Sequence, residues 1–346
     1  MKIEQIDVED YEAVYRAELE IGEEENPIAI IAIYDTSLGP ALGGTRLWDY
    51  ETEEEALEDV KRLSKGMAYK AAAADLPLGG GKAVIKADPE NKDEELFREY
   101  GKAVDELDGK YITAEDVNTE TADMAVVDEQ TDHVVGLEAG LGDPSPITAE
   151  GVYHGIKASL EKHEDYDVNN MEDVTFLIQG LGKVGRVLAE NLLEDGATVK
   201  GSDVDENAIE KMKSKGLESV DPADVYTEEC DVFAPCALGG VINEETIDQL
   251  KCDIVAGAAN NQLEERRHAE ELKKRDILYA PDYVINAGGL LAVYNELQEN
   301  TLEEAIEEAR EIGDRLLEMY EEAEEKDITP LKAADNYAER KMRQAQ

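Results

Sequence analysis

The chain has 346 residues, 42% of them hydrophobic, and carries 83 acidic against 34 basic side chains for a formal charge of −49. That length allows two domains with separate cores, and the hydrophobic content with its clear periodicity excludes a disordered acidic tail. The acid excess excludes a basic, phosphate-seeking surface, so nucleic acid is not an expected partner.

The surplus acid is spread evenly, which points to a hydrated carboxylate shell adapted to high salt, where self-repulsion is screened. Cys230, Cys236 and Cys252 are an odd number without metal-like spacing. Together with a start that lacks a signal-peptide pattern, they predict a reducing cytoplasm. The four histidines stand apart from one another, so no metal is expected. No apolar run is long enough to span a membrane, and no membrane partner is expected.

Residues 27–34 (PIAIIAIY) read as a strand with a proline at its mouth. Thr52 and Glu55 have capping-box spacing and predict the start of a helix. Its apolar stripe runs through Ala56, Val60, Leu63 and Met67, and Lys70 falls next on it, near the C-terminal end. A lysine there either serves an anion or simply satisfies the helix end. Lys82 follows Gly79, Gly80 and Gly81 and opens an apolar strand; glycines there let another backbone or a ligand come close. Two cations in small, apolar surroundings suggest an anion site, a tuned lysine, or both. Residues 111–114 read as a strand ending in Glu115 and Asp116, the latter placed for chemistry or as a turn carboxylate.

Residues 142–146 (GDPSP) read as an interdomain linker, after which Thr148 is expected to cap a helix to about 160. Residues 174–179 form a buried-strand pattern. Gly180, Leu181, Gly182, Lys183, Val184 and Gly185 follow, then a helical run and a second strand ending at Asp203. This is the spacing of a dinucleotide fingerprint. The glycines give the turn, the pyrophosphate approach and the helix–strand contact, and Asp203 accepts from ribose hydroxyls. Further strands over 231–234, 254–256 and 277–280 lead into loops holding Ala237, Asn260, Asn261 and Asn286. In open parallel sheets ligands lie beyond such strand ends. Residues 302–346 read as charged helix with a buried stripe of Ala305, Ala309, Ile312, Leu316 and Met319.

These segments, in this order, resemble the amino acid dehydrogenases acting on glutamate, leucine, phenylalanine and valine, and look closest to the leucine enzymes. The similarity runs from about residue 34 to 296. It is carried by LGPALGGTRLWDY (38–50), EEEALEDVKRLSKGMAYKAAAADLPLGGGKAVI (53–85), YITAEDVNT (111–119), DPSP (143–146), FAPCALGG (233–240), AGAANNQL (256–263) and YAPDYVINAGG (279–289). The resemblance implies an α/β fold of two domains separated by a cleft: a mixed-sheet catalytic and oligomerisation domain over 1–140 and a Rossmann-type NAD-binding domain over 141–325. A C-terminal helix over 326–346 would pack back on the first domain. It implies a homo-oligomer, hexamer or octamer. The implied reaction is NAD-dependent, reversible oxidative deamination of an amino acid to the 2-oxo acid and ammonia.

By the same resemblance, Lys70 binds the substrate carboxylate, Lys82 activates the attacking water and Asp116 exchanges protons with the amino group. Thr148, Gly180 to Gly185, Asp203, Ala237, Asn260 and Asn286 map to cofactor contacts. The side-chain pocket maps to Leu42, Gly43, Gly44, Ala114, Leu290 and Val293, all apolar or small. A glutamate γ-carboxylate would be left unpaired there, so a branched aliphatic substrate is expected. A phenylalanine or glutamate enzyme is the alternative within the family, and a non-catalytic NAD-binding protein the alternative outside it. Two departures stand out: Ala292 where the family usually has Asn, and Gly185 where leucine enzymes often have Ala.

Overall fold

The computed structural model describes residues 2–346 except 22–25, 138, 139, 164 and 169. By internal contacts the chain divides into two units. One comprises Met1–Gly142, Glu296–Glu299 and Ala338–Gln346; the other comprises Asp143–Asn295 and Asn300–Tyr337.

The first unit is built from β1 (Lys2–Ile6), β2 (Ala13–Glu18), β3 (Ile28–Asp35), β4 (Ala41–Trp48), α1 (Glu53–Ala73), β5 (Gly79–Lys86), α2 (Glu94–Asp105), β6 (Tyr111–Glu115) and α3 (Thr121–Asp128). Its strands form one mixed sheet in the order β1-β2-β3-β5-β4-β6. Pairing is antiparallel from β1 to β5 and parallel from β5 through β4 to β6. One face buries Val14, Ile30, Ala32 and Val84 under Ala56 and Val60 of α1. The other buries Ile31, Ala83, Ile85 and Tyr111 under Phe97, Tyr100 and Val104 of α2 and Met124 and Val127 of α3. This is the period-2 alternation of a strand covered on both sides.

Thr52 caps α1, accepting from Glu55 N at 3.1 Å. The buried face of that helix differs from the stripe read in the sequence. Ala56, Val60, Ser64, Ala68, Ala71 and Ala72 are buried, while Leu63, Met67 and Lys70 are half-buried at its flank. Small residues win the centre because α1 lies close on the sheet: a Cβ on Gly80 would sit 2.3 Å from the Ala68 Cβ. The glycines before Lys82 therefore admit protein rather than ligand. Gly79 faces the Asp35 backbone and Gly81 the Tyr111 ring. They also belong to β5 itself, so Lys82 stands mid-strand rather than at its start.

The second unit comprises α4 (Ser145–Lys162), β7 (Thr175–Gln179), α5 (Lys183–Glu194), β8 (Thr198–Ser202), α6 (Glu206–Lys213), β9 (Glu218–Ser219), β10 (Val232–Pro235), β11 (Ile254–Val255), α7 (His268–Lys273), β12 (Leu278–Tyr279), α8 (Asp282–Ile285), α9 (Gly288–Leu297) as far as Asn295, α10 (Leu302–Arg310), α11 (Ile312–Lys326) and the first half of α12 (Pro330–Ala345). Its sheet runs β12-β11-β10-β7-β8-β9, and every pair is parallel. This is the doubly wound order, with its switch point between β7 and β10.

The α4 helix begins at Ser145, three residues before the Thr148 expected to cap it. Asp143 Oδ1 accepts from Ser145 N at 3.0 Å, and Thr148 Oγ1 donates to Pro144 O at 3.1 Å from inside the first turn. The tail stripe is buried as read, but on two helices, α10 and α11, that pack against α4. Residues 338–346 belong to the first unit, where Ala338 and Met342 pack on Ala68 and Ala72.

Candidate active site

The register of the first sheet assembles its chemistry. β4 and β5 pair with one constant offset, Leu42↔Gly80 and Thr45↔Ala83, which sets Gly44 beside Lys82. On the other side Gly44 pairs with Ala114. Alternation then puts Leu42, Gly44, Arg46, Gly80, Lys82 and Ala114 on the face that α1 covers, and Gly43 on the other. Asp116 follows one residue beyond β6.

Lys82 is 5% exposed, and its Nζ lies 3.0 Å from Asp116 Oδ1. Arg46 Nε donates to Asp116 Oδ2 at 3.2 Å, and its Nη1 to Asp59 Oδ2 on α1 at 2.8 Å. Tyr50 and Arg62 donate to Asp59 at 2.7 Å each. Asp116 N donates to Thr119 Oγ1 at 2.8 Å, and Thr119 Oγ1 donates to Thr45 O at 2.8 Å, pinning the loop after β6 to β4. Gly44 is the floor of this group. A Cβ there would lie 2.3 Å from Glu115 O and 3.0 Å from the Asp116 Cβ.

Burial pushes the Lys82 ammonium below its ordinary value; Asp116 opposes this, and Arg46 adds to the lowering. Burial alone would raise Asp116, but Lys82 and then Arg46 outweigh it and hold the carboxyl below its usual range. The arrangement is a buried ammonium that gives up its proton readily, beside a carboxylate that stays ionised. Lys70 is half-buried in the last turn of α1.

In the second unit the fingerprint occupies the turn from β7 into α5. Gly180 has φ +100°, and a Cβ on it would lie 2.6 Å from the Ala237 Cβ across the switch point. A Cβ on Gly185 would lie 2.0 Å from Gly180 O, so the departure from Ala follows from the tightness of this turn. A Cβ on Gly182 would meet nothing within 4 Å, which leaves open space at the helix N-terminus. Leu181 is buried, while Lys183 at the start of α5 is exposed and 3.8 Å from Asp143.

Asp203 accepts from Leu181 N at 2.5 Å and from Asp205 N at 2.8 Å, one bond per oxygen. Each oxygen keeps a lone pair for a ribose hydroxyl. Asn286 is buried; its Nδ2 donates to Ala258 O at 3.1 Å and to Asn260 Oδ1 at 2.9 Å, while its Oδ1 has no partner among the described residues. A buried acceptor left unpaired beyond the strand ends fits the amide hydrogens of a carboxamide. The open N-terminus, free acid lone pairs and orphaned amide together fit a nicotinamide dinucleotide.

Residues 11–133 match the model of the Glu/Leu/Phe/Val dehydrogenase dimerisation domain, and 200–346 match Glutamate/Leucine/Phenylalanine/Valine dehydrogenase. The chain belongs to the Glu/Leu/Phe/Val dehydrogenase family. As such it is an amino acid dehydrogenase acting on CH–NH2 donors, and it uses NAD. It is 46% identical to leucine dehydrogenase of Bacillus subtilis (strain 168) over 91% of this chain and 87% of that protein. It is 48% identical to L-tryptophan dehydrogenase of Nostoc punctiforme, over 90% and 88%. The crystal structure of the Nostoc punctiforme L-tryptophan dehydrogenase aligns with TM-score 0.88, covering 97% of this chain and 96% of that one at 45% identity. The hetero-hexameric glutamate dehydrogenase of Thermus thermophilus, at 22% identity over 97% and 89%, shares the fold with TM-score 0.77.

Within this Glu/Leu/Phe/Val dehydrogenase, Leu42 and Ala114 are buried on the Lys82 face of the first unit. In the second unit Leu290 is buried and Val293 half-buried on α9, with Ala292 buried between them. Asn260 and Ala237 are exposed, and Thr148 is half-buried. The pairing of Arg46 with Asp59 joins β4 to α1, and no local spacing in the sequence announces it.

Proposed function

We propose that this dehydrogenase catalyses the reversible oxidative deamination of branched-chain L-amino acids (leucine, valine, isoleucine) with NAD, using Lys82, Asp116 and Lys70. The observation that carries the reading is the buried Lys82 held 3.0 Å from Asp116. Bound NAD supplies the acceptor for the hydride leaving the substrate α-carbon. The chain's own residues do the rest. Lys70 offers its ammonium to the substrate carboxylate. Asp116 takes a proton from the α-amino group and returns one to departing ammonia. Neutral Lys82 removes a proton from the water that adds to the imine carbon, and burial with Arg46 beside Asp116 favours that neutral form. Overall, amino acid, NAD+ and water give 2-oxo acid, ammonium, NADH and a proton.

Relatives of nearly equal identity bear three substrate names, leucine, tryptophan and phenylalanine dehydrogenase. Identity therefore does not choose the substrate. Of the positions that the resemblance maps to the substrate side chain, Leu42, Gly44 and Ala114 in the first unit and Leu290 and Val293 in the second are apolar or small, and none offers a cation to a γ-carboxylate. We assign the first unit to substrate binding and oligomer formation and the second to NAD, with Asp203 disfavouring a 2′-phosphate. Three free cysteines suit a reducing cytoplasm. The assembly is read as a homo-oligomer, and the acidic surface as an adaptation to high salt. Initial rates on leucine, valine, isoleucine, phenylalanine, tryptophan and glutamate, with NAD and NADP in molar KCl, test the reading. The aliphatic substrates with NAD should lead. Glutamate or an aromatic substrate turned over as fast as leucine, or NADP used as well as NAD, would overturn it.

A further inference from the structure

The nucleotide-binding sheet carries a second pair of reactive side chains, at the edge away from the fingerprint. Cys230 and Cys252 lie two residues before β10 and β11. These strands pair in parallel with a constant offset, Glu229↔Lys251, Val232↔Ile254 and Phe233↔Val255. The same offset sets Cys230 beside Cys252, and Cys230 N donates to Lys251 O at 3.2 Å. In-register residues on neighbouring strands point to one face and lie about 4.8 Å apart. That is inside the Cα window of roughly 4.4–6.8 Å that a disulfide requires. The neighbouring Cys252 thiol, ahead of burial, raises the Cys230 thiol above its ordinary value. Cys252 is buried in the apolar cluster of this unit, and Cys230 is half-buried at its margin. Cys236 follows the far end of β10, about 20 Å along the strand at 3.3 Å per residue.

We propose that Cys230 and Cys252 are a peroxide-oxidisable dithiol that closes to a disulfide joining the starts of β10 and β11. Cys230, the more exposed sulfur, attacks one oxygen of hydrogen peroxide as its thiolate. The O–O bond breaks, hydroxide leaves and takes up the thiol proton as water, and a sulfenic acid remains. The Cys252 sulfur then attacks the sulfenic sulfur, the S–O bond breaks, and a second water leaves with the Cys252 proton. Two thiols lose two electrons and one peroxide gains them. Because Cys230 is held protonated, closure is slow at neutral pH and quickens as pH rises. The bond forms at the N-terminal ends of the strands, whereas the ligand loops after Pro235 and Val255 leave their C-terminal ends. It restrains the segment between β10 and β11 without entering the cofactor site, and so adds stability with activity kept.

The test is peroxide treatment of the full-length protein, then thiol titration in denaturant and non-reducing peptide mass analysis. Trypsin cuts after Lys251, which separates Cys252 from the peptide holding both Cys230 and Cys236, so Cys236→Ser resolves which one is bridged. Titratable thiols should fall from three to one, reversibly with dithiothreitol, in wild type. The linked peptide pair should persist in Cys236→Ser and vanish in Cys230→Ser, and the oxidised protein should melt several degrees higher, about 5 °C or more. Cys230 passing to sulfinic acid while Cys252 stays a thiol, a link through Cys236, or a crosslink between two chains would each overturn the proposal.

Discussion

Arg46 Nε donates to Asp116 Oδ2 at 3.2 Å, the oxygen that Lys82 leaves free. The guanidinium therefore fixes which oxygen faces the lysine. It is also a cation that favours loss of the Lys82 proton and ionisation of Asp116. In Arg46→Gln both pKa values should rise. Lys82 must be neutral to act, so the acid limb of kcat/KM for deamination should move to higher pH. Arg46→Lys should restore part of that shift, since it returns charge without the fork. An unmoved limb in the glutamine variant would show that Arg46 only braces the fold.

Asp116 acts on Lys82 in the opposite sense, and more strongly. Asp116→Asn removes that upward pull, so the acid limb should move to lower pH. At the same time kcat should fall by roughly 10²–10⁴, because the proton exchanger at the amino group is gone. A pH–rate profile separates the two effects, and a limb displaced upward would contradict the assignment.

Lys70 has a different task and should leave a different signature. Lys70→Ala removes a charge-assisted contact with the substrate carboxylate, worth about 1.5–3 kcal/mol. KM for leucine should rise by roughly 10- to 100-fold, with the acid limb of the profile in place. An unchanged KM in steady-state kinetics would remove Lys70 from the substrate site.

The charge of −49 sets the salt response. Raising KCl to about 1 M shortens the Debye length to about 3 Å and screens carboxylate repulsion. Exposed pairs such as Arg98–Glu94 and Lys213–Glu210 weaken as well, but each contributes at most about 1 kcal/mol. The melting temperature should therefore climb with KCl; a flat or falling curve would refute salt adaptation.

Local signals carried much of this molecule. The Thr52 cap, the glycine turn after β7 and Asp203 beyond β8 each follow from a few adjacent residues, and the structure has them in those places. Where packing decided, local reading drifted. Three glycines disguised the first half of β5, because glycine is a poor strand former and its purpose there is the approach of Ala68 and Tyr111. By bulk alone the stripe on α1 runs through Leu63 and Met67, which are only half-buried. Against a glycine-floored sheet the buried residues are Ser64, Ala68 and Ala72 instead. The Arg46–Asp59 pair lies between two elements and has no sequence spacing to betray it. Gly44 was legible only as a small pocket residue; its contact with Asp116 needed the register of β4 with β6.

The role of Lys82 as the base of the reaction is tested most directly by the rate of leucine-dependent NADH formation by Lys82→Ala in molar KCl. Lys82→Ala removes one cation from beside Asp116 but leaves that carboxylate paired with Arg46, so the fold should persist by circular dichroism. A fall in kcat of at least about 100-fold is expected. Activity within a few-fold of wild type, in protein of unchanged fold, would contradict it.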